Sequence, residues 1–380
     1  MRIGLDGIPL TDLRTGIGTY TFELANALAI GSPADDFELV SPFPYSTMTG
    51  GDSRPENLRL VHSKSNVLMR RWWVLGLPLY LRRVGLTLFH GTNFEVPLWR
   101  GCPTVVTIHD LSPLRLPKMH QGRLRRRARF SIPFMARLAT AIITPSESVR
   151  SEVCERLGIP ADKVVAIPHG PRRCFRPLPL SQTTEVRNRL GIADEFLLAV
   201  GTIEPRKNLI TLVRAFQEIL KTTTLRPQLV IVGKEGWLTG ELFTHIKKAQ
   251  LGDRLLCTGY LSDEELCALY SSCRAFIYPS IYEGFGLPPL EAMACGAPVI
   301  TSRIPSLVET VGSAALLVSP TDVQDMSRTI IGLLKDDNER EKLSAAGQKR
   351  AAEFSWDRTA RLTRDVYDRA LRKESRRGKP

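Results

Sequence analysis

The 380-residue sequence has no long hydrophobic run, which argues against a membrane-spanning helix. Crossing a bilayer takes about 18 consecutive apolar residues, and the most conspicuous apolar stretch, residues 72–81, is far shorter. Cysteine is scarce and scattered: the seven residues are odd in number and form no Cys-x-x-Cys pair. This pattern argues against a disulfide framework and a zinc site, and it favours reduced thiols in a cytoplasmic protein.

The overall composition is that of a soluble globular protein of more than one domain. Hydrophobic residues make up 43% and charged residues 24% of the chain, which is ordinary for such proteins. The length exceeds what a single core usually supports and predicts two domains. Residues 1–6 have the pattern of a first β-strand, so we expect no signal peptide.

Positive charge is concentrated in the first half of the chain. Residues 1–180 hold 24 Lys and Arg against 14 Asp and Glu, whereas residues 181–380 hold 28 against 25. Such asymmetry indicates an anionic partner: nucleic acid, a membrane surface or a phosphorylated substrate. The sequence contains no helix-turn-helix, zinc-finger or RNA-binding signature, so we expect no nucleic-acid partner.

Short apolar runs alternate with helical patterns throughout, which predicts parallel sheets covered by helices on both faces. The predicted strands are 2–6, 37–40, 58–61, 86–90, 104–108, 141–144, 164–167, 196–200, 228–232, 255–258, 275–278, 299–301 and 315–318. A proline-rich connector, residues 168–179, separates two such series. We therefore predict two doubly wound Rossmann-like domains, 1–175 and 176–356. A C-terminal helix with a basic tail, 357–380, is expected to pack back on the first.

The stretch 282–291 carries the strongest chemical signal, because two glutamates flank a Gly-Phe-Gly turn and a Pro-Pro pair. Proline favours the first position of a helix, so Glu283 is predicted in a loop and Glu291 in the first turn of a helix starting near Pro288. Carboxylates accept hydrogen bonds from sugar hydroxyls, and loop amides beside a helix N-terminus bind anionic oxygens. The structural alternative is an ordinary strand-turn-helix with a capping glutamate.

Other candidate groups also follow predicted strands, where ligands bind in open α/β sheets. Arg206 and Lys207 follow strand 196–200 and suit a diphosphate, unless they form a solvated basic loop. Gly16 and Gly18 could admit a phosphate to a helix N-terminus, although turn glycines are an equal alternative. His109 ends strand 104–108 and could bind a sugar or act as acid or base, although most single histidines are structural.

Two surface stretches suggest contact with a membrane. Residues 72–81 could form an interfacial segment, but we favour a buried helix. A basic run is followed directly by Phe130 and Phe134 and could meet anionic lipid headgroups or form a solvated face. We favour membrane contact for this run, whose arginines are Arg123, Arg125, Arg126, Arg127 and Arg129.

Together these residues resemble the retaining, nucleotide-sugar-dependent glycosyltransferases of family 4, which have the GT-B fold of two Rossmann-like domains facing each other across a cleft. The resemblance covers nearly the whole chain. It is carried by stretch 282–291, by Gly201 to Asn208, by Ile108-His109-Asp110 and by Ile167 to Gly170. One departure is Thr202, because many members have an arginine directly after the strand-end glycine.

The resemblance implies roles for the candidate residues. Glu283 would contact hydroxyls of the donor sugar, and Glu291 the ribose hydroxyls. Arg206 and Lys207 would neutralise the diphosphate as it leaves, and His109 would lie near the transferred sugar. Loop positions expected at the donor are Gly16, Gly18, Gly284, Phe285, Gly286 and Leu287.

The resemblance also implies a reaction. It favours metal-independent, retaining transfer of a hexose by front-face attack, and no Asp-x-Asp metal motif is evident. Mannosyltransferases of polysaccharide biosynthesis are the best match, with GDP-mannose as the favoured donor and UDP-sugars as the alternative. We expect no cofactor, a glycan or lipid-linked acceptor, and a cytoplasmic enzyme docking peripherally on the inner face of the cell membrane. The alternatives are another GT-B activity, such as a sugar-nucleotide epimerase, and a basic nucleic-acid-binding protein.

Overall fold

The computed structural model describes residues 1–12, 16–45, 54–63, 71–99 and 101–377, without the side chains of residues 123–125, 376 and 377. The chain divides into two compact units. The first unit comprises Met1–Leu114, Arg123–His169 and Ser355–Pro380. The second comprises Arg115–Gly122 and Gly170–Phe354. These limits lie close to residues 175 and 356, but no local pattern indicated that residues 115–122 group with the second unit.

The described part of the first unit contains a sheet of seven parallel strands in the order β3-β2-β1-β4-β5-β6-β7. Two of its central strands, Leu88–Gly91 and Thr104–Thr107, are buried along their whole length, as expected for a parallel sheet covered on both faces. The order reverses between β1 and β4, so ligands are expected outside the carboxyl ends of these two strands. The strands are β1 (Arg2–Asp6), β2 (Asp36–Ser41), β3 (Leu58–His62), β4 (Leu88–Gly91), β5 (Thr104–Thr107), β6 (Ala141–Thr144) and β7 (Val164–Ala166).

Helices connect these strands, and one of them begins irregularly. A π-helical turn, Trp72–Gly76, runs directly into the second helix. The helices up to the connector are α1 (Gly16–Gly31), α2 (Leu77–Val84), α3 (Ser112–Arg115), α4 (Gly122–Leu138) and α5 (Glu147–Leu157). A serine N-cap and a left-handed glycine, Gly158, delimit α5 and make its bounds readable from sequence.

The second unit has a six-stranded parallel sheet in the order β10-β9-β8-β11-β12-β13. The order reverses between β8 and β11, whose carboxyl ends lead into the loops of Arg206 and Glu283. The strands are β8 (Phe196–Val200), β9 (Gln228–Val232), β10 (Leu255–Gly259), β11 (Ala275–Tyr278), β12 (Val299–Ser302) and β13 (Leu316–Val318). The helices are α6 (Leu180–Leu190), α7 (Leu209–Thr222), α8 (Gly240–Ala249), α9 (Asp263–Ser272), α10 (Leu287–Ala294), α11 (Pro305–Val311), α12 (Val323–Lys335) and α13 (Asp337–Ala351).

The last helix, α14 (Trp356–Arg377), belongs to the first unit and packs against α1. Buried Tyr367 places its hydroxyl 2.7 Å from Nδ1 of His90, and the Thr359 hydroxyl donates to the carbonyl of Pro168 over 2.7 Å. Arg364 forms an ion pair with Asp35. These polar contacts fix the register of a helix that is otherwise held by apolar packing.

The predicted α/β class with two doubly wound sheets is confirmed. Three local expectations were wrong. Helix α6 was missed, because residues 180–190 follow a proline-rich connector and carry a weak apolar pattern. Gly16 and Gly18 lie inside α1 rather than in the loop before it. The segment 72–81 is helical but buried on one face only, since Leu75 is 40% and Leu79 is 55% exposed.

Replacing Gly233 with alanine should disturb the packing of the carboxyl ends of β8 and β9, where the loop of Arg206 begins. Gly233 has φ +151°, and an added Cβ would lie 2.0 Å from the carbonyl oxygen of Gly201 at the end of β8. Strain and overpacking should lower the free energy of unfolding of the second unit by about 3 kcal/mol. Urea denaturation followed by circular dichroism measures the change. Gly240→Ala is the matched control, because nothing lies within 4 Å of its Cβ position; equal stability of the two variants would contradict the prediction.

Candidate functional site

The Glu283 carboxylate lies at the centre of a buried ionic cluster in the second unit. Its Oε1 accepts hydrogen bonds from Nζ of Lys207 at 2.6 Å and from the hydroxyl of Tyr278 at 2.9 Å. Its Oε2 accepts from Nη1 of Arg206 at 2.7 Å. The side chain is only 9% exposed. The structure therefore brings together three of the predicted residues and adds Tyr278, which the sequence did not mark.

Two loops meet to form this cluster, and backbone contacts set their register. The first follows β8 through a 3-10 turn, Pro205–Lys207, and ends at Asn208, whose φ of +56° allows α7 to begin. The side-chain Nδ2 of Asn208 donates to the carbonyls of Pro279 at 3.0 Å and Pro320 at 2.6 Å. The amide of Ile281 donates to the carbonyl of Arg206 at 2.9 Å. The two cations are thus carried to Glu283 by the backbone and not by flexible side chains alone.

The cluster is close to electrically neutral. Arg206 also pairs with Glu204 at 2.7 Å, so two cations face two carboxylates. Burial by itself would raise the pKa of Glu283, but Arg206 and Lys207 outweigh it and lower that pKa to about 2. Glu283 is therefore ionised at neutral pH and can only accept hydrogen bonds. An accepting group of this kind suits the hydroxyls of a sugar.

The loop after Glu283 is oriented by two hydroxyls of α11. Ser306 donates to the carbonyl of Glu283 at 2.6 Å, and Thr310 donates to the carbonyl of Phe285 at 2.7 Å. Because a trans peptide directs its N–H opposite to its C=O, the N–H groups of Gly284 and Gly286 are directed away from α11.

Glu291 lies in the second turn of α10 and not in the first, because the helix starts at Leu287. It is held by Arg172 in a bidentate pair, with Nε to Oε1 at 2.7 Å and Nη2 to Oε2 at 3.0 Å. Arg172 also pairs with Asp263 and lies 4.4 Å above the ring of Phe175. Sequence reasoning missed Arg172, and its only signal was a pair of arginines in the proline-rich connector.

His109 lies in the first unit, surrounded by other rings. Its Nε2 is 2.8 Å from the carbonyl oxygen of Thr92, which can only accept, so Nε2 carries the proton. Burial lowers its pKa, against the opposing effects of the Thr92 hydrogen bond and Asp110. The imidazole is therefore neutral at neutral pH, with Nδ1 as an acceptor. Tyr20 packs edge-on against it, with the two ring centres 4.7 Å apart.

The two predicted phosphate-loop glycines begin α1 of the first unit. Gly16 is exposed and nothing lies within 4 Å of its Cβ position, whereas Gly18 is buried in the first turn. Among the described residues there is no group of three or more side chains that could hold a metal ion, and no helix is long and apolar enough to cross a bilayer. The seven cysteines are free thiols, and Cys267 lies 3.7 Å from Cys295, Sγ to Sγ.

Comparison with known proteins identifies the family of this chain. The family model described as Glycosyl transferases group 1 matches residues 182–350, and Glycosyltransferase Family 4 matches residues 14–171. The chain is 33% identical to O-antigen chain mannosyltransferase B of Escherichia coli, over 97% of this chain and 99% of that protein. The chain belongs to glycosyltransferase family 4. The chain is therefore a glycosyltransferase.

Solved structures establish the fold of the glycosyltransferase as GT-B. Sucrose-phosphate synthase from Thermosynechococcus elongatus matches with a TM-score of 0.80 at 22% identity, over 98% of this chain and 100% of that one. WaaG, a glycosyltransferase of lipopolysaccharide biosynthesis, matches with a TM-score of 0.74 at 14% identity, over 97% and 99%. The resemblance inferred from the sequence motifs is confirmed.

Acid should remove the stabilisation that Glu283 provides to the glycosyltransferase. The folded-state pKa of about 2 lies below the ordinary value of 4.5, so this stabilisation is complete above pH 4.5 and is lost as the pH falls toward about 2. Glu283→Gln should therefore have a lower free energy of unfolding than wild type at neutral pH. Between pH 4.5 and about 2, its free energy of unfolding should fall by less than that of wild type. Urea denaturation at several pH values measures both effects. Exposed Glu241→Gln is the control; parallel pH curves for wild type and Glu283→Gln would contradict the assignment.

Proposed function

We propose that this glycosyltransferase transfers mannose from GDP-mannose, with retention of configuration, to a glycan hydroxyl on a lipid-linked acceptor. The choice of mannose is supported by the O-antigen chain mannosyltransferase B relative and by MMP alpha-(1->4)-mannosyltransferase of Mycolicibacterium hassiacum, 31% identical over 62% of this chain and 56% of that protein. The assignment of the donor site rests on one observation: ionised Glu283 held between Arg206 and Lys207.

In this proposal the donor sugar binds to Glu283. The carboxylate is ionised and buried, so it accepts hydrogen bonds from sugar hydroxyls that water would otherwise solvate. Its cationic partners lie on the opposite loop and keep it in one position before the donor arrives. Such preorganisation favours orientation of the sugar and limits the loss of conformational freedom on binding.

Arg206 and Lys207 then serve the diphosphate. Negative charge develops on the diphosphate as its bond to the anomeric carbon breaks, and fixed cations stabilise that charge. The N–H groups of Gly284 and Gly286 add dipoles from the same loop. We infer front-face attack, in which the acceptor oxygen bonds to the anomeric carbon on the side from which the diphosphate leaves and the departing phosphate oxygen takes the acceptor proton.

Glu291 is assigned to the ribose hydroxyls, with Arg172 as its positioning residue. The bidentate pair uses one lone pair on each carboxylate oxygen and leaves others for hydroxyl donors. In the first unit, Nδ1 of neutral His109 would accept a hydrogen bond from a hydroxyl of the transferred sugar. The start of α1 at Gly16 and Gly18 would favour the diphosphate through its positive helix end.

A panel of nucleotide sugars tests the donor and the stereochemistry together. Turnover with GDP-mannose, and an α-linked product from the α-linked donor by proton NMR, are the expected results. Turnover with UDP-glucose alone would replace mannose with glucose as the donor sugar; UDP-glucose is the ligand of the structurally similar HepE of Anabaena, at TM-score 0.73 and 18% identity. Interconversion of free sugar nucleotides without transfer would identify an epimerase and refute the proposal.

The lipid-linked acceptor implies docking on an anionic membrane surface, and exposed arginines of α4 would bind the lipid headgroups. Arg126 and Arg129 are exposed on this helix beside Phe130 and Phe134, which are 74% and 53% exposed. Arg127 instead pairs with Glu95. Arg123 and Arg125 belong to the predicted basic run, but their side chains lie outside the described residues. Each exposed cation near an anionic bilayer contributes about 1 kcal/mol to binding.

The two glutamates should have separable roles. Glu283→Gln should abolish transfer and leave GDP affinity largely intact, because its carboxylate would serve the sugar. Glu291→Gln should instead weaken GDP binding at least tenfold, since charge-assisted bonds to the ribose contribute roughly 1.5–3 kcal/mol each. Titration calorimetry with GDP and a transfer assay measure both. Equal loss of GDP affinity in the two variants would contradict this division.

The cation pair should distinguish a diphosphate from a nucleoside. Arg206→Gln and Lys207→Gln should each weaken GDP much more than guanosine, because only GDP offers phosphate oxygens, and each should lower turnover strongly. Exposed Lys247→Gln on α8 is the matched control and should change neither. If GDP and guanosine weakened equally, the diphosphate would have to be bound by another cation.

A further inference from the structure

A second surface of the first unit exposes large apolar side chains. Trp99 is 71%, Leu79 is 55% and Leu75 is 40% exposed, and we call these three residues the apolar patch. Leu75 and Leu79 lie four residues apart on the π-turn and α2, which places them on one face of the helical segment. Trp72, Leu77 and Leu81 face the core instead. The sequence favoured a buried helix here, and the structure leaves one of its faces open.

The loop 94–99 joins the apolar patch to the basic helix α4. The amide of Leu98 donates to the carbonyl of Trp73 at 2.9 Å, which holds the loop against the π-turn. At its other end Glu95 pairs with Arg127, and Val96 packs in the same core cluster as Ala128 of α4. In the strand order β3-β2-β1-β4-β5-β6-β7, both the step from β3 to β4 and the step from β5 to β6 go toward β7. Right-handed crossovers in one direction place their helices on the same face of the sheet, so α2 and α4 lie on one face.

We propose that the apolar patch inserts into the headgroup region of an anionic bilayer while the arginines of α4 bind its surface. Tryptophan is favoured at the boundary between headgroups and acyl chains, and amphipathic helices lie there with cations at their flanks. Exposed Arg71, Arg82 and Arg83 flank the patch on α2 and its preceding turn. This proposal rests on the lipid-linked acceptor proposed above and specifies which side chains enter the membrane.

Charge favours a bilayer over a second copy of the chain as the occupant. A symmetric dimer contact presents the same surface from both partners. It would therefore set the arginines of α2 and α4 against the same arginines of the other copy. An anionic lipid surface neutralises those charges and also accepts the apolar patch, so it satisfies both properties of the face at once.

Fluorescence of Trp99 in the full-length protein tests the insertion. Trp72 and Trp356 are buried, and Trp73 and Trp237 are partly buried, so Trp99 is the most exposed tryptophan among the described residues. The probe is a vesicle of phosphatidylglycerol and phosphatidylcholine whose acyl chains carry bromine, which quenches tryptophan on contact. We expect quenching in wild type and its loss in Trp99→Phe.

Flotation with the same lipids without bromine measures the affinity. Trp99→Ser and Leu79→Ser should each weaken vesicle binding about tenfold. Arg126→Gln combined with Arg129→Gln should weaken it more than tenfold and reduce its salt dependence. Leu180→Ser in the second unit is the matched control, because Leu180 is 74% exposed. It should bind vesicles as wild type does, and circular dichroism checks that every variant folds.

Each other outcome overturns the proposal in a recognisable way. Vesicle binding with no quenching, or unchanged by Trp99→Ser and Leu79→Ser, would mean surface adsorption without insertion. A dimer in gel filtration that these variants dissociate would make the face a contact between copies. Absence of vesicle binding at low salt would refute both the insertion and the membrane docking. Transfer to a soluble glycan acceptor would continue in that case, which separates this failure from failure of the transferase mechanism.

Discussion

The structure of the second unit depends on one buried carboxylate. An isolated Glu283 would be expelled from such a site or protonated, because burying an unpaired charge is strongly unfavourable. Arg206 and Lys207 compensate for that burial, and to do so they must be brought to the end of β11 from the end of β8. Gly201, Gly233 and Asn208 supply the backbone conformations that allow this approach. The packing of the strand ends and the chemistry of the candidate donor site are therefore consequences of the same ionic constraint.

The second carboxylate is stabilised in a different manner. Glu291 is paired by a single arginine that also binds Asp263 and stacks on Phe175, so one guanidinium links the connector to the helices α9 and α10. Both carboxylates are thus fixed by cations from distant parts of the chain before any ligand is present. In the proposed function, this arrangement lets two acidic groups contact an anionic donor, because each already has its own positive charge.

The sequence predicted the fold well, and the site in part, for identifiable reasons. Strands such as Gln228–Val232 and helices such as Glu147–Leu157 have patterns and caps that are local, so their bounds follow from neighbouring residues. Glu283, Arg206 and Lys207 follow strand ends and could be expected to converge. The pairing of Arg172 with Glu291 joins residues 119 positions apart and depends on tertiary packing that no local pattern encodes. The exposure of Leu79 likewise depends on which elements pack against α2.

A double-mutant cycle between Glu283 and Lys207 tests most directly whether these residues act as one unit. Glu283→Gln, Lys207→Gln and the combined variant would be compared with wild type for the free energy of unfolding, measured by urea denaturation. We expect strong non-additivity, with a coupling free energy of about 2–3 kcal/mol, because removing the second partner relieves a charge left buried by the first substitution. Additive losses of unfolding free energy would show that the two side chains act independently and would contradict the central role of the cluster.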